Sequence, residues 1–172
     1  MRDYTVIAAS PDATRSLGER LGGAMLASNA AGVLVVALSG ELGAGKTTFV
    51  GGVLRGMGVS GPIRSPTYTL IEPYEGVGVA RDRNVYHLDL YRLERAVDLD
   101  MLALRDLLQP GSVLLTEWAE RGERVLPIPD ISISIHYPLG TDSSLVNSRN
   151  VIITAHSAMG ETLADKLVAE PC

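Results

Sequence analysis

Eight consecutive residues, Gly40-Glu41-Leu42-Gly43-Ala44-Gly45-Lys46-Thr47, have the types and spacing to hold phosphate. They satisfy the pattern G-x-x-x-x-G-K-[ST] at every fixed position. Glycines admit positive φ and let the backbone approach an anion closely. Successive N–H groups from Glu41 to Thr48 then form a nest around the phosphates, at the start of a helix whose dipole favours negative charge. In this pattern Lys46 reaches the β- and γ-phosphates and the Thr47 hydroxyl ligates Mg²⁺. The chemistry these residues name is the binding of ATP or ADP with Mg²⁺.

Hydrolysis asks for more. A carboxylate must hold Mg²⁺, directly or through water, and a group must orient the attacking water. Ligands of open α/β sheets bind at the carboxyl ends of strands, so carboxylates that close strands are the relevant ones. Asp89 lies in Val85-Tyr86-His87-Leu88-Asp89-Leu90-Tyr91, and Glu117 follows Ser112-Val113-Leu114-Leu115-Thr116. The two can divide the tasks; the plainer alternative is that each caps a turn or pairs with an arginine. Ser65-Pro66-Thr67-Tyr68-Thr69 is rich in hydroxyls and stiffened by Pro66. A threonine there can sense Mg²⁺ or a γ-phosphate, although the residue types alone favour an ordinary β-segment. Trp118 is the only tryptophan. It can stack on a base, anchor a partner, or simply fill the core. His87 shares a strand face with Asp89 and reads as a packed, hydrogen-bonded histidine. His136 and His156 show no metal-ligand spacing.

The elements around the loop have the order it requires. Val33 to Leu38 is a continuous apolar run that reads as a buried parallel strand. After the loop, Phe49, Val53 and Met57 recur on one helical face and Gly58 stops the helix. Upstream, Ser10 caps a helix with Pro11 at its first position. Leu17, Leu21 and Met25 line that helix, which fades near Asn29. Ile63 to Ile71 reads as extended, Gly76-Val77-Gly78 and Arg81-Asp82-Arg83-Asn84 as a turn and loop, and Val85 to Tyr91 as a strand. Asp98 caps a helix carrying Leu99, Leu102 and Leu107, ended by Pro110-Gly111, and Val113-Leu114-Leu115 is a short buried strand. Ile131 to His136 alternates strictly, so one face is solvated. Val151-Ile152-Ile153 forms a further strand after a turn over 140–150, and a helix from Glu161 to Val168 closes the chain. Helix and strand alternate early and the late part reads as antiparallel, which predicts an α/β fold with a mixed sheet and helices packed on it.

At 172 residues the chain suits one domain with a substantial core. The net charge of −5 argues against a stand-alone nucleic-acid binder, which usually carries a basic surface. It leaves open a nucleic-acid pathway in which a partner holds the polymer. The one cysteine, Cys172, forbids an intramolecular disulfide and fits a reducing cytoplasm. Met1-Arg2-Asp3-Tyr4 shows no signal-peptide apolar core, and the run before the loop is too short to span a bilayer.

Taken together, the motifs resemble the TsaE family, small bacterial ATPases of the pathway that makes threonylcarbamoyladenosine (t6A) in tRNA, beside the anticodon. The likeness runs from about Thr14 to Pro127. Thr14 with Leu17-Gly18 is similar to the family's first helix, and Gly40 to Thr48 to its phosphate loop. Ser65-Pro66-Thr67-Tyr68-Thr69-Leu70 resembles its S-P-T-[YF]-T-L segment, and His87-Leu88-Asp89-Leu90-Tyr91-Arg92 its H-x-D-L-Y-R block. Glu117-Trp118 is similar to its E-W pair, and Leu126-Pro127 to the leucine-proline that follows. The phosphate loop is shared by a vast superfamily; the other motifs in this order are far more specific. The resemblance implies a single P-loop NTPase-like ATPase domain over residues 1–172, with a mixed, mostly parallel central sheet, flanking helices and antiparallel C-terminal strands. It implies that Lys46, Asp89 and Glu117 are catalytic, and that Thr47, Asp89 and Glu117 gather around Mg²⁺ and the γ-phosphate. Thr67 falls in a switch-like segment and Trp118 close to the nucleotide. The implied partners are the TsaB and TsaD proteins, with TsaD performing the carbamoyl transfer; tRNA is reached only indirectly, and no membrane is involved. Two departures stand out. Ala103-Leu104 occupies a place where the family often has glycine, and the tail after about His156 is poorly matched.

Two other functions compete. A small-molecule kinase can use the same loop, but it needs an acceptor subsite and an arginine-bearing lid that excludes water. Arg81, Arg83, Arg92 and Arg95 can supply charge, yet little chain remains after Glu117 for a lid. A nucleotide-dependent interaction module without turnover is opposed by Asp89 and Glu117, since carboxylates beside a γ-phosphate are costly unless Mg²⁺ is held there.

Overall fold

The structure, a computed structural model, describes residues 2–28, 30–78, 83–93, 104–122, 125–138 and 145–169. In chain order these form β1 (Arg2–Ala8), α1 (Pro11–Leu26), β2 (Leu34–Ser39), α2 (Lys46–Gly56), β3 (Ile71–Val77), β4 (Arg83–Asp89), α3 (Leu104–Leu107), β5 (Val113–Glu117), a 3-10 turn (Ala119–Arg121), β6 (Ile131–His136), β7 (Arg149–Ala155) and α4 (Ala158–Val168). The strands make one sheet in the order β1-β7-β6-β2-β5-β4-β3. β6, β2, β5 and β4 are mutually parallel. β7 runs against both β6 and β1, and β3 runs against β4. The sheet is therefore mixed and mostly parallel, in a P-loop NTPase-like α/β fold.

The pattern of each strand follows from what covers it. Leu34, Val36 and Leu38 of β2 pack into the larger core, and Val35 into a smaller core on the opposite face. Burial on both faces is why the run is apolar without alternation. All five residues of β5 are buried. β6 alternates: Ile131, Ile133 and Ile135 are fully buried, while Ser132, Ser134 and His136 are half-buried. Its register against β7 and β2 keeps those isoleucines on the larger core.

The helix that carries the phosphate loop is mounted on α1 by direct backbone contact. A Cβ on Gly18 would stand 2.1 Å from the Phe49 carbonyl oxygen, and one on Gly22 2.1 Å from that of Val53. From the other side, a Cβ on Gly52 would lie 2.1 Å from the Arg15 oxygen, and one on Gly56 2.0 Å from that of Glu19. Only glycine permits this approach, so α1 and α2 touch along two facing pairs of glycines. The Ser10 hydroxyl accepts from the Ala13 N–H at 3.1 Å and fixes where α1 starts. Leu17, Leu21 and Met25 seat α1 in the core.

Several boundaries differ from the sequence reading, each for a local reason. Residues 2–8 were given no element, yet they pair as β1 with β7 over seven register positions; an edge strand with mostly exposed or half-buried side chains carries little apolar signal. Ile63 to Ile71 is not one extended run. The Leu70 N–H donates to the Pro66 carbonyl at 2.7 Å, Leu70 sits at φ +64°, and β3 begins only at Ile71. β3 also continues through Val77, with a bulge between Tyr74 and Val77. β4 stops at Asp89 because the side chain of Asp89 turns the chain, accepting from the Tyr91 N–H at 3.0 Å. α4 starts at Ala158, three residues early, because the Ser157 hydroxyl caps it through the Gly160 N–H at 3.0 Å. α1 ends at Leu26. Asp98, Leu99 and Leu102 lie outside the described residues, as do Cys172, Asn29 and residues 140–144 of the turn.

The glycine contact gives a stability test with an internal control. Gly22→Ala should cost about 2–3 kcal/mol, the overpacking range, which for a chain of this size lowers Tm by roughly 5–10 °C. Gly23 lies on the same helix with nothing within 4 Å of its added Cβ. Gly23→Ala should gain about 0.5–1 kcal/mol from helix propensity. Calorimetric melting of both variants checks this; equal effects would remove the close helix contact as the cause.

Candidate functional site

The phosphate loop joins β2 to α2. Gly40, Gly43 and Gly45 take φ of +131°, +77° and +110°. Gly40 also passes so near β6 that a Cβ would lie 2.1 Å from the Ile135 oxygen. Gly45 is the N-cap of α2, so Lys46 opens the helix. Its ammonium folds back over the loop, donating to the carbonyls of Gly40 at 2.7 Å and Glu41 at 2.9 Å. It also rests 3.9 Å from the centroid of the Trp118 ring. Burial pushes the Lys46 pKa down, and the carboxylates of Glu117, Glu120, Asp89 and Glu41 oppose that shift.

Strand register brings the two acids together. Asp89 of β4 pairs with Glu117 of β5, and Glu117 also pairs with Leu38 of β2, the strand that leads into the loop. Side chains alternate along a strand. His87, Asp89 and Glu117 therefore share the sheet face on which Val85, Val113 and Leu115 pack into the larger core under α2. Both acids are buried, at 4% and 2% exposure. Glu117 accepts from the Thr47 hydroxyl at 2.9 Å through Oε2, and its Oε1 lies 3.0 Å from His87 Nε2. Asp89 accepts from the Thr67 hydroxyl at 2.6 Å through Oδ2 and from the Tyr91 N–H through Oδ1. The 65–70 segment is thereby tied to one acid and the phosphate-loop helix to the other. Leu70 at φ +64° and Trp118 at φ +58° are the non-glycine residues with positive φ among those described. Each such residue costs roughly 1–2 kcal/mol. Leu70 accepts from the Asp89 N–H, and Trp118 directly follows Glu117. Backbone strain of this kind gathers at functional sites.

Between these groups lies a cavity of about 290 Å³. Leu42, Gly43, Gly45, Lys46, Thr47, Thr48, Thr67, Asp89, Glu117 and Trp118 line it, together with Tyr91. Tyr91 packs at 5.2 Å between ring centroids against Trp118, and the Arg121 guanidinium lies 5.4 Å from the Tyr91 ring. Two residues of the expected set do not line it. Ala44 is fully buried, and Glu41 turns its carboxylate outward to His136 at 3.3 Å. A hydrogen bond from its own backbone N–H, more than the His136 contact, holds that carboxyl below its usual pKa. His87 is the packed, hydrogen-bonded residue expected, and its bond goes to Glu117. Tyr91 was legible in the H-L-D-L-Y-R block. Tyr137 and Arg149, which contact the loop from behind, carried no local signal. Among the arginines considered for a lid, Arg83 donates to the Ser28 carbonyl and Arg92 stacks on Tyr68. Arg81 and Arg95 lie outside the described residues.

The donor set fits Mg²⁺. Two buried carboxylates face one buried ammonium, which leaves the pocket short of positive charge. A threonine hydroxyl and one or two carboxylates, completed by phosphate and water oxygens, are the hard ligands Mg²⁺ takes. Among the described residues no cluster of three or more His, Cys, Asp or Glu forms an all-protein metal cage.

The sequence model described as "Threonylcarbamoyl adenosine biosynthesis protein TsaE" matches residues 8–144. The chain belongs to the TsaE family. It is similar to the tRNA threonylcarbamoyladenosine biosynthesis protein TsaE of Haemophilus influenzae, at 38% identity over 130 residues, covering 76% of this chain and 75% of that one. The Bacillus subtilis protein of the same name is 36% identical over 133 residues, 77% of each chain. That of Streptomyces coelicolor is 34% identical over 141 residues, 81% of this chain and 88% of its own. Among solved structures, the fold matches that of Bacillus subtilis YdiB at TM-score 0.72 and 27% identity, over 98% of this chain and 95% of the other. No helix among the described residues is long and apolar enough to cross a membrane.

Trp118 reports on this TsaE-family site directly, because it is the sole tryptophan and touches the Lys46 ammonium. Addition of ADP or ATP with Mg²⁺ should draw that ammonium toward phosphate and change the indole emission. A flat fluorescence titration, under conditions where calorimetry shows binding, would place nucleotide away from the Lys46–Trp118 contact.

Proposed function

We propose that this protein is a Mg²⁺-dependent ATPase required for t6A modification of tRNA, acting in the cytoplasm on a complex of TsaB and TsaD. The observation that carries the ATPase reading is the side-by-side pair Asp89 and Glu117, each bonded to a threonine hydroxyl of a loop that faces the nucleotide cavity. Membership of the TsaE family supports the pathway, and the names of its relatives support tRNA as the eventual target.

On this reading the backbone of residues 41 to 48 and the Lys46 ammonium take the β- and γ-phosphates of ATP. Phosphate oxygens are stronger acceptors than the two carbonyls Lys46 now holds, so the ammonium exchanges one set for the other. Thr47, Asp89 and Glu117 hold Mg²⁺. Mg²⁺ held there would supply positive charge against the phosphate oxygens. Of the two acids, the one that meets the ion only through water would also orient the attacking water and accept its proton. His87 fixes the rotamer of Glu117 from behind. Thr67 couples the 65–70 segment to the state of the γ-phosphate through Asp89. Trp118 and Tyr91 close the side of the cavity. Hydrolysis serves to reset or remodel the TsaB–TsaD complex, TsaD performing the carbamoyl transfer, so tRNA is affected only indirectly. Turnover in isolation is expected to be low.

Asp89→Asn and Glu117→Gln should each lose kcat by roughly tenfold or more while still binding nucleotide. The double variant should be little worse than the worse single, because the acids act as one unit. Lys46→Ala should abolish turnover and weaken nucleotide binding about tenfold or more. Steady-state ATPase assays with TsaB and TsaD present check all four. Wild-type kcat in both single carboxylate variants would return Asp89 and Glu117 to the role of ordinary strand-end acids.

A further inference from the structure

The phosphate loop is gripped from outside the nucleotide cavity by the antiparallel half of the sheet. The Arg149 Nε–H donates to the Ala44 carbonyl at 3.0 Å. The Tyr137 hydroxyl donates to the Leu42 carbonyl at 3.3 Å. Arg149 is itself locked. Its Nη1 donates to the carbonyls of Val146 at 3.0 Å and Ser148 at 2.6 Å, and its guanidinium lies 4.3 Å from the centroid of the Tyr137 ring. The glycine at position 43 fits against this bracket, since a Cβ there would stand 2.9 Å from the Tyr137 hydroxyl.

The peptide group is planar and trans, so its C=O and N–H point in opposite directions. The carbonyl of Leu42 shares a plane with the N–H of Gly43, and that of Ala44 with the N–H of Gly45. Drawing the two carbonyls back toward Tyr137 and Arg149 therefore turns the amides of Gly43 and Gly45 toward the other side, where both glycines line the cavity. Glycine peptides flip readily, because both signs of φ are open to them. An unheld loop would sample many orientations and give up that freedom on binding phosphate.

We infer that Arg149 and Tyr137 are positioning residues that preset the Gly43 and Gly45 amides for phosphate. The inference rests on the nucleotide reading proposed above. Arg149 lies beyond the residues 8–144 matched by the family model, and Tyr137, inside that range, falls after the last of the motifs at Leu126-Pro127. Neither residue is among those that line the cavity. The Nε and Nη1 donors of Arg149 go to carbonyls.

Arg149→Met keeps most of the stem and removes the donors, and Tyr137→Phe keeps the ring and removes only the hydroxyl. Calorimetry with MgADP should show Arg149→Met binding about tenfold more weakly and Tyr137→Phe a few-fold more weakly. The loss should fall mainly on KM for ATP, because ordering of the ground-state nest is what has been removed. In ligand-free protein, the backbone ¹⁵N–¹H signals of Gly43 and Gly45 should shift and exchange faster with solvent in both variants. A change confined to melting temperature, with MgADP affinity kept within about twofold of a wild type that binds, would overturn the inference. If wild type itself binds no MgADP, the nucleotide reading fails; the Gly43 and Gly45 signals then still decide, and unchanged signals overturn the role of Arg149. Should Arg149→Met fail to fold, Tyr137→Phe carries both measurements.

Discussion

Two carboxylates held side by side at the ends of neighbouring parallel strands are the constraint on which the rest of the site depends. The register of β4 against β5 leaves Asp89 opposite Glu117, on one sheet face, with both buried. At strand spacing of about 5 Å and an effective dielectric of 20, two such charges repel by roughly 3 kcal/mol. Desolvation adds to that cost. The surroundings are what such a pair needs. Thr47, Thr67, His87 and the Tyr91 N–H each place a polar group on a carboxylate oxygen, and the Lys46 ammonium lies in the same pocket. Removing the acids would take away the partners of the Thr47 and Thr67 hydroxyls. The Mg²⁺ of the proposed function would complete the charge balance of this pocket.

The same constraint explains where the backbone is strained. The chain leaves β5 at Glu117 and must turn at once, and Trp118 takes the left-handed conformation that lays its ring against Lys46. On the other side Leu70 takes it to bring the 65–70 segment onto Asp89. Glycine would relieve the strain at either place. At Trp118 it would also remove the ring, and with it the wall of the cavity that Tyr91 packs against.

Much of this was legible in the sequence because it is local. The phosphate loop, the caps at Ser10, and the runs of β2 and β5 are each written in consecutive residues, and the two acids are recognisable as the ends of apolar runs. Their roles as neighbours were only inferable, since nothing in either segment states that the β4 and β5 registers align. What remained hidden is of two kinds. The turn at Thr67 to Leu70 looks like a strand by residue type, because threonine and tyrosine suit both, and a long-range bond to Asp89 decides between them. β1, Tyr137 and Arg149 are defined by partners far along the chain, and an arginine that holds a carbonyl carries no signature at all.

Placement of the loop between the two halves of the sheet is the last step. β2 has β5 on one side and β6 on the other. β5 and β4 on one side bring the acids Glu117 and Asp89, which the proposed function sets at the γ-phosphate. The other side brings Tyr137, directly after β6, and Arg149, at the start of the antiparallel β7, and both hold loop carbonyls. The division follows from chemistry. Loop amides must be still before the ligand arrives, so they are best held by groups that have no part in the reaction. On the proposed reading Lys46 would let go of the Gly40 and Glu41 carbonyls to meet phosphate, so it would not be the group that keeps the loop in shape. Had the loop depended on Lys46 alone, binding would release the very peptides that have to stay in place. With the carbonyls of Leu42 and Ala44 held from behind, the lysine is free to move and the nest is not.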